Sequence, residues 1–179
     1  MIETAKYYGQ LLKFRLSSSV VFSAISGYLL GVDQFSTNQF LLLILGGFCV
    51  TGSANGFNQI LERNHDKLMI RTANRPLPMG HITINQAILF SSLLGLLGLS
   101  LLNFINPQGS YYGLLSKSCF FGLLSMILYV FAYTPLKRIS TTSVFVGAIP
   151  GAIPFLLGWV AATDDFELFG GTLFAIQFF

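Results

Sequence analysis

Three oxygen-bearing side chains recur at a fixed interval in this chain: Asn58, Glu62 and Asp66. At i, i+4 and i+8 they stack on one face of an α-helix, one turn apart. Hard oxygen ligands placed this way suit Mg²⁺, which takes a few carboxylates and completes its shell with substrate phosphates. Basic residues follow at Arg71 and Arg75, and again at Lys137 and Arg138. Arginine forks match phosphate oxygens. Together these residues could bind a diphosphate through a divalent metal.

The setting makes such polar density informative. The chain is 53% hydrophobic and 9% charged, with a mean hydropathy of +0.68, which places it in the membrane class. Eighteen Phe and seven Tyr fit a lipid-facing surface with interfacial aromatics. A net charge of +3 gives no reason to expect nucleic acid as a partner. Cys49 and Cys119 both fall in apolar runs and read as buried free thiols. The N-terminus carries no Arg/Ser-rich targeting stretch, and the first apolar run has no small-residue cleavage site after it.

Five segments are long and apolar enough to span a bilayer: 16–32, 40–61, 84–105, 118–133 and 143–162. A sixth begins near Phe166. Its apolar part, 168–179, is about half the length needed. The sequence thus predicts an all-α polytopic transmembrane bundle of about six helices, the sixth cut short. Residues 1–179 read as one domain, incomplete at its C-terminus and part of a longer protein.

With the N-terminus in the cytoplasm, that side collects Lys6, Lys13, Arg15, Arg63, Lys67, Arg71, Arg75, Lys137 and Arg138. Lys117 falls on the other side, with Asp33, Asp164, Asp165 and Glu167. The carboxylate ladder and Lys137-Arg138 then share one surface. Asn74–Gly80 must be a loop, given Pro76 and Pro78. Asn106-Pro107-Gln108-Gly109 reads as a turn. The tandem Gly-Ala-Ile-Pro at 147–154 supplies small-residue helix contacts and two prolines that should kink the helix or widen a cavity.

Each site residue has a plainer reading. Glu62 and Asp66 could be a solvated helix end, but that leaves Asn55, Asn58 and Gln59, on the membrane side, unexplained. A charge at the bilayer centre costs about 2.5–3.5 kcal/mol, so polar groups at depth favour a cavity over lipid. For Arg71 and Arg75, phosphate binding and simple anchoring weigh equally. Taken alone, Lys137 and Arg138 read more simply as interfacial cations after a helix stop at Pro135. His65 points to a different helix face from the carboxylates, and both it and His81 read as interfacial polar residues rather than haem or metal ligands. Trp159 reads as an aromatic-belt anchor. No Walker loop, CxxC pair or nucleophile elbow is present.

Asn58-x₃-Glu62-x₃-Asp66 resembles the first Asp-rich motif of the UbiA superfamily of intramembrane prenyltransferases. Met69-x-Arg71-Thr72-x-Asn74-Arg75-Pro76 is similar to the haem O synthase (protoheme IX farnesyltransferase) branch. Tyr133-Thr134-Pro135-Leu136-Lys137-Arg138 and the run from Gly147 through Gly158-Trp159 match that branch in the same order. The resemblance covers essentially the whole chain. It implies a bundle of about nine helices with a second Asp-rich motif between the sixth and seventh, beyond residue 179. Two departures stand out: Phe14 where the family usually has proline, and Glu62 where related branches often carry Asp.

The resemblance implies transfer of a farnesyl group from farnesyl diphosphate to a vinyl group of protoheme IX (haem B), giving haem O for terminal oxidases. Asn58, Glu62 and Asp66 would be catalytic, holding Mg²⁺ or Mn²⁺. Arg71, Arg75, Lys137 and Arg138 would bind the diphosphate. It further implies a bacterial inner membrane, a lipid bilayer around the chain, and haem A synthase or oxidase assembly factors as partners. The fragment alone is expected to be inactive. The competing readings are a UbiA-type enzyme acting on an aromatic or quinone precursor, an inactive membrane fragment, and a transporter with broken helices.

Overall fold

The computed structural model describes residues 2–109 and 114–179. The helices are α1 (Ile2–Leu12), α2 (Phe14–Gly31), α3 (Thr37–Asp66), α4 (Ile84–Asn103), α5 (Lys117–Leu136), α6 (Ser143–Thr163) and α7 (Leu168–Phe178). Hydroxyls set three of the starts. Ser36 accepts from the Gln39 N–H, Ser116 from that of Cys119, and Thr83 with Gln86 forms a reciprocal capping box.

Among the described residues four helices, α3 to α6, are long and apolar enough to cross a membrane. The expected first span, 16–32, corresponds to α2, which falls short. Its 18 residues include Arg15 and five serines. Ser23 and Ser26 turn their hydroxyls back onto carbonyls one turn earlier. α7, the expected partial sixth helix, runs for 11 residues.

Small residues fix how closely the helices pack. Gly27 of α2 faces the Phe155 carbonyl, and Gly158 of α6 faces that of Ala24. A Cβ at either position would collide with the opposing backbone, so α2 and α6 meet main chain to main chain. Between α3 and α4, Ser53 Oγ donates to the Ser91 carbonyl at 2.7 Å. The shared core holds Ala24, Tyr28, Leu43, Leu102, Ile153 and Leu157.

Two polar residues expected to mark a cavity serve the backbone, and of the two Asn55 also lines a chamber inside the bundle. Lys13 breaks α1 from α2 in the left-handed region, φ 48°. That break leaves carbonyls at the end of α1 without helical partners. Asn55 Nδ2 donates to the Leu12 carbonyl at 3.3 Å and to Ser17 Oγ at 3.2 Å. Gln59 Nε2 donates to the Gln10 and Leu11 carbonyls at 3.2 and 2.9 Å.

α6 passes unbroken through Pro150 and Pro154. Pro154 has no N–H for the Pro150 carbonyl, and Ser125 Oγ of α5 donates to that carbonyl instead, at 3.2 Å. Trp159 is no belt anchor. It is only 9% exposed, packed with Leu156 and Leu173, its ring 4.8 Å from that of Phe169. At the bundle end away from the carboxylates, Lys117 pairs with Asp164 at 3.4 Å.

Candidate functional site

α3 continues five residues past its apolar stretch and ends at Asp66, so its last turns carry Asn58, Glu62 and Asp66 into the bundle end. All three are buried, at 1%, 9% and 4% exposure. They line one cavity of about 420 Å³ with Lys13, Arg75 and Lys137, and with Tyr129 and Tyr133. Sequence spacing had placed the three oxygens on one face, and the fold turns that face inward.

Each carboxylate holds one cation. Lys137 Nζ lies 2.7 Å from Glu62 Oε1, and Arg75 Nη1 lies 2.7 Å from Asp66 Oδ2. The second oxygen of each carboxylate remains for another ligand. Asn58 bridges neighbours: its Oδ1 accepts from Lys13 Nζ at 3.2 Å, and its Nδ2 donates to Thr134 Oγ1 at 3.1 Å.

The helix does not continue to Arg71 and Arg75, so their i, i+4 spacing is not what positions them. Beyond Asp66 the chain winds through successive turns. Thr72 Oγ1 donates to the Asp66 carbonyl at 3.1 Å, and the Thr72 and Ala73 N–H groups donate to Met69. This folding-back returns Arg75 to Asp66 and leaves Arg71 exposed on the cavity rim. Arg138 lies apart from the other cations. Its Nη2 donates to the Leu61 carbonyl at 2.8 Å, and it does not line the cavity. Lys137, which the residues alone favour as a simple anchor, is the cation that faces Glu62. His65, expected on another face, lines the cavity rim in an exposed position. His81 stacks on Tyr7 at 4.3 Å and 10°.

Three further residues were not named as site residues from the sequence. Tyr129 and Tyr133 stack at 5.4 Å, and Lys137 Nζ sits 5.3 Å over the Tyr133 ring. They come from a π-helical stretch, Leu128–Tyr133, just before Pro135. Thr134 Oγ1 donates to the Tyr129 carbonyl at 2.8 Å, taking up a backbone oxygen inside the widened turn. Tyr129, Tyr133 and Lys137 repeat the spacing of Asn58, Glu62 and Asp66, and that repeat was the available signal. Lys13 is the third. Burial first, then the nearby Arg75 and Lys137 charges, lower its ammonium from the usual 10.5 to about 8. Glu62 and Asp66 oppose that shift.

The donor set can be tested against a metal. Among the described residues no three His, Cys, Asp or Glu side chains form a complete cage. Two carboxylates and an amide oxygen suffice for Mg²⁺, which keeps waters and takes substrate phosphates as further ligands. The residues fit such an ion. The cavity therefore offers two features at once: hard oxygens for a cation and, at part-buried Lys13 and Arg75 and at Lys137, positive charge for an anion.

Comparisons with known proteins bear on the family and the fold. A protoheme IX farnesyltransferase from Flavobacterium psychrophilum is 47% identical over 96% of this chain and 55% of its own. The mitochondrial protein of that name from Saccharomyces cerevisiae is 37% identical over 96% of this chain and 36% of its own. The chain spans about half the length of the bacterial relative. A solved structure of a digeranylgeranylglyceryl phosphate synthase superposes with a TM-score of 0.83 at 25% identity, over 98% of this chain and 59% of that one. A UbiA homolog from Archaeoglobus fulgidus bound to GPP and Mg²⁺ superposes with a TM-score of 0.70 at 18% identity, over 96% and 60%. That second likeness bears on the fold alone. The UbiA prenyltransferase family model matches residues 20–179. This chain, an integral membrane protein, belongs to the UbiA prenyltransferase family.

Proposed function

We propose that the protein transfers a farnesyl group from farnesyl diphosphate to a vinyl group of protoheme IX (haem B), giving haem O. The observation that carries this reading is the buried carboxylate pair, each member with its own cation, at the head of an apolar passage into the bundle. The acceptor is suggested by relatives of 46–49% identity that bear the name protoheme IX farnesyltransferase.

Glu62 and Asp66, with Asn58 as an auxiliary oxygen, would hold Mg²⁺, which when bound supplies positive charge to the diphosphate oxygens. Lys13, Arg75 and Lys137 surround the same oxygens and stabilise the charge that develops on the leaving diphosphate. Arg71 meets its outer phosphate at the rim. Arg138 holds the end of α5 against α3 and acts on the diphosphate only through the position of Lys137. The prenyl C1–O bond breaks with both electrons leaving on diphosphate. Tyr129, which lines both the polar cavity and the chamber beneath it, presents its ring to the resulting allylic cation. The haem vinyl electrons form the new C–C bond. Water then adds to the porphyrin-stabilised cation and a proton is lost, leaving a hydroxyethylfarnesyl group. Before that step the bundle keeps water from the allylic cation.

A bacterial plasma membrane is the location this reading implies, and the cation asymmetry supports placing the N-terminus and this cavity on the cytoplasmic side. Haem A synthase and oxidase assembly factors are the partners this reading implies.

The test is product analysis by mass after incubating membranes containing the protein, expressed at the full length of its relatives, with haem B, farnesyl diphosphate and Mg²⁺. Haem O should form, and Asp66→Ala should abolish it while the protein remains in the membrane fraction. Farnesylation of 4-hydroxybenzoate or a quinone precursor in place of haem would overturn the acceptor assignment. Product from Asp66→Ala would overturn the site.

A further inference from the structure

Beneath the polar cavity the bundle is hollow. A chamber of about 200 Å³ shares Leu16 and Tyr129 with the polar cavity above it. A smaller one of about 40 Å³ lies beyond and shares Val20, Val50, Thr51 and Ser125 with it. The three are successive sections of one passage between α2, α3, α5 and α6.

The passage is apolar because its polar side chains are committed elsewhere. Asn55 is bound to the Leu12 carbonyl and Ser17, and Ser125 to the Pro150 carbonyl. Its far end is closed by the core residues Ala24, Leu102, Ile153 and Leu157, which are 0–5% exposed.

α3 runs beside the whole passage and serves as a scale. Asn58 belongs to the polar cavity and Gly47 to the last chamber. They are eleven residues apart, about 16 Å along a helix axis. An extended covalent chain advances about 1.2 Å per bond, so the twelve-carbon backbone of a farnesyl group spans about 14 Å. On the same scale a geranyl backbone spans about 10 Å and a geranylgeranyl backbone about 19 Å. The first leaves the last chamber empty, and the last runs into the closing core.

We propose that the floor formed by Gly47, Leu102 and Leu157 is a ruler that sets the length of the prenyl chain at fifteen carbons. This rests on the prenyl diphosphate reading above and adds the residues that select among chain lengths. Gly47 is the sensitive position. A Cβ built there meets only Val21 Cγ2, at 3.7 Å, an ordinary contact. A Cβ is therefore tolerated at Gly47, and a larger side chain there takes up space in the last chamber, which Gly47 lines. Leu157 is the opposite lever, because trimming it deepens the floor.

The experiment measures binding of geranyl, farnesyl and geranylgeranyl diphosphate, each with Mg²⁺, to the purified protein in detergent, separately from any haem product. The wild type should bind farnesyl diphosphate tightest. Gly47→Leu should shift the geranyl-to-farnesyl affinity ratio by about tenfold or more toward geranyl, the scale of discrimination an apolar pocket achieves. Leu157→Ala should raise relative affinity for geranylgeranyl diphosphate. If Leu157→Ala does not fold, Gly47→Leu decides alone, with Gly47→Ala as a graded intermediate. An unchanged order and ratio in Gly47→Leu overturns the ruler. A shifted ratio without haem O in the product assay leaves the ruler standing and overturns the acceptor assignment instead.

Discussion

Lys13→Arg offers a sharp test of how the cavity handles charge. The Lys13 ammonium is buried among Arg75 and Lys137, which lowers it to about 8. A bound diphosphate brings negative charge beside it and pushes that value back up. Binding above pH 8 must therefore take up a proton. In the free protein about nine in ten Lys13 groups are charged at pH 7 and about one in ten at pH 9. Affinity for farnesyl diphosphate should fall about tenfold between those values, about 1.4 kcal/mol. Arginine stays charged throughout this range and has the same Cβ at φ 48°, so the backbone cost is unchanged. Lys13→Arg should thus bind with a nearly flat profile from pH 7 to pH 9. The assay is titration calorimetry in detergent with Mg²⁺ at fixed ionic strength. A flat wild-type profile would refute the assignment of Lys13 to the diphosphate. The same decline in Lys13→Arg would show that another group titrates.

Lys137→Ala should weaken diphosphate binding by about 1.5–3 kcal/mol, since it removes a charged hydrogen-bond partner of Glu62 in the cavity. Arg138→Ala should leave affinity within about fivefold, because that exposed guanidinium faces the Leu61 carbonyl; the same calorimetry compares the two. Gly158→Val should lower thermal stability in detergent by about 1–3 kcal/mol or more, as its side chain meets the Ala24 backbone.

Much of the site could be read in the chain without coordinates. The Asn58, Glu62, Asp66 spacing is a property of one helix, so helix periodicity alone puts the three oxygens on one face. Span lengths and cation asymmetry likewise follow from local composition, and they gave an all-α bundle with all but one of its basic residues at one end. Where local reasoning erred, the deciding contact lay far along the chain. Gln59 seemed to mark a cavity until α1 was found ending beside it, 48 to 49 residues away in sequence. Trp159 seemed interfacial until α7 was found covering it.

The sequence by itself determined the helices, their faces and the oxygen ladder, because these depend on residue type and a repeat of a few residues. The tertiary structure alone decided which cation meets which carboxylate. It brought Lys13, Arg75 and Lys137 together from three segments, turned Arg138 away, and lined up the walls of the passage below. Such pairings depend on where helices cross and loops fold back, and no local spacing encodes that.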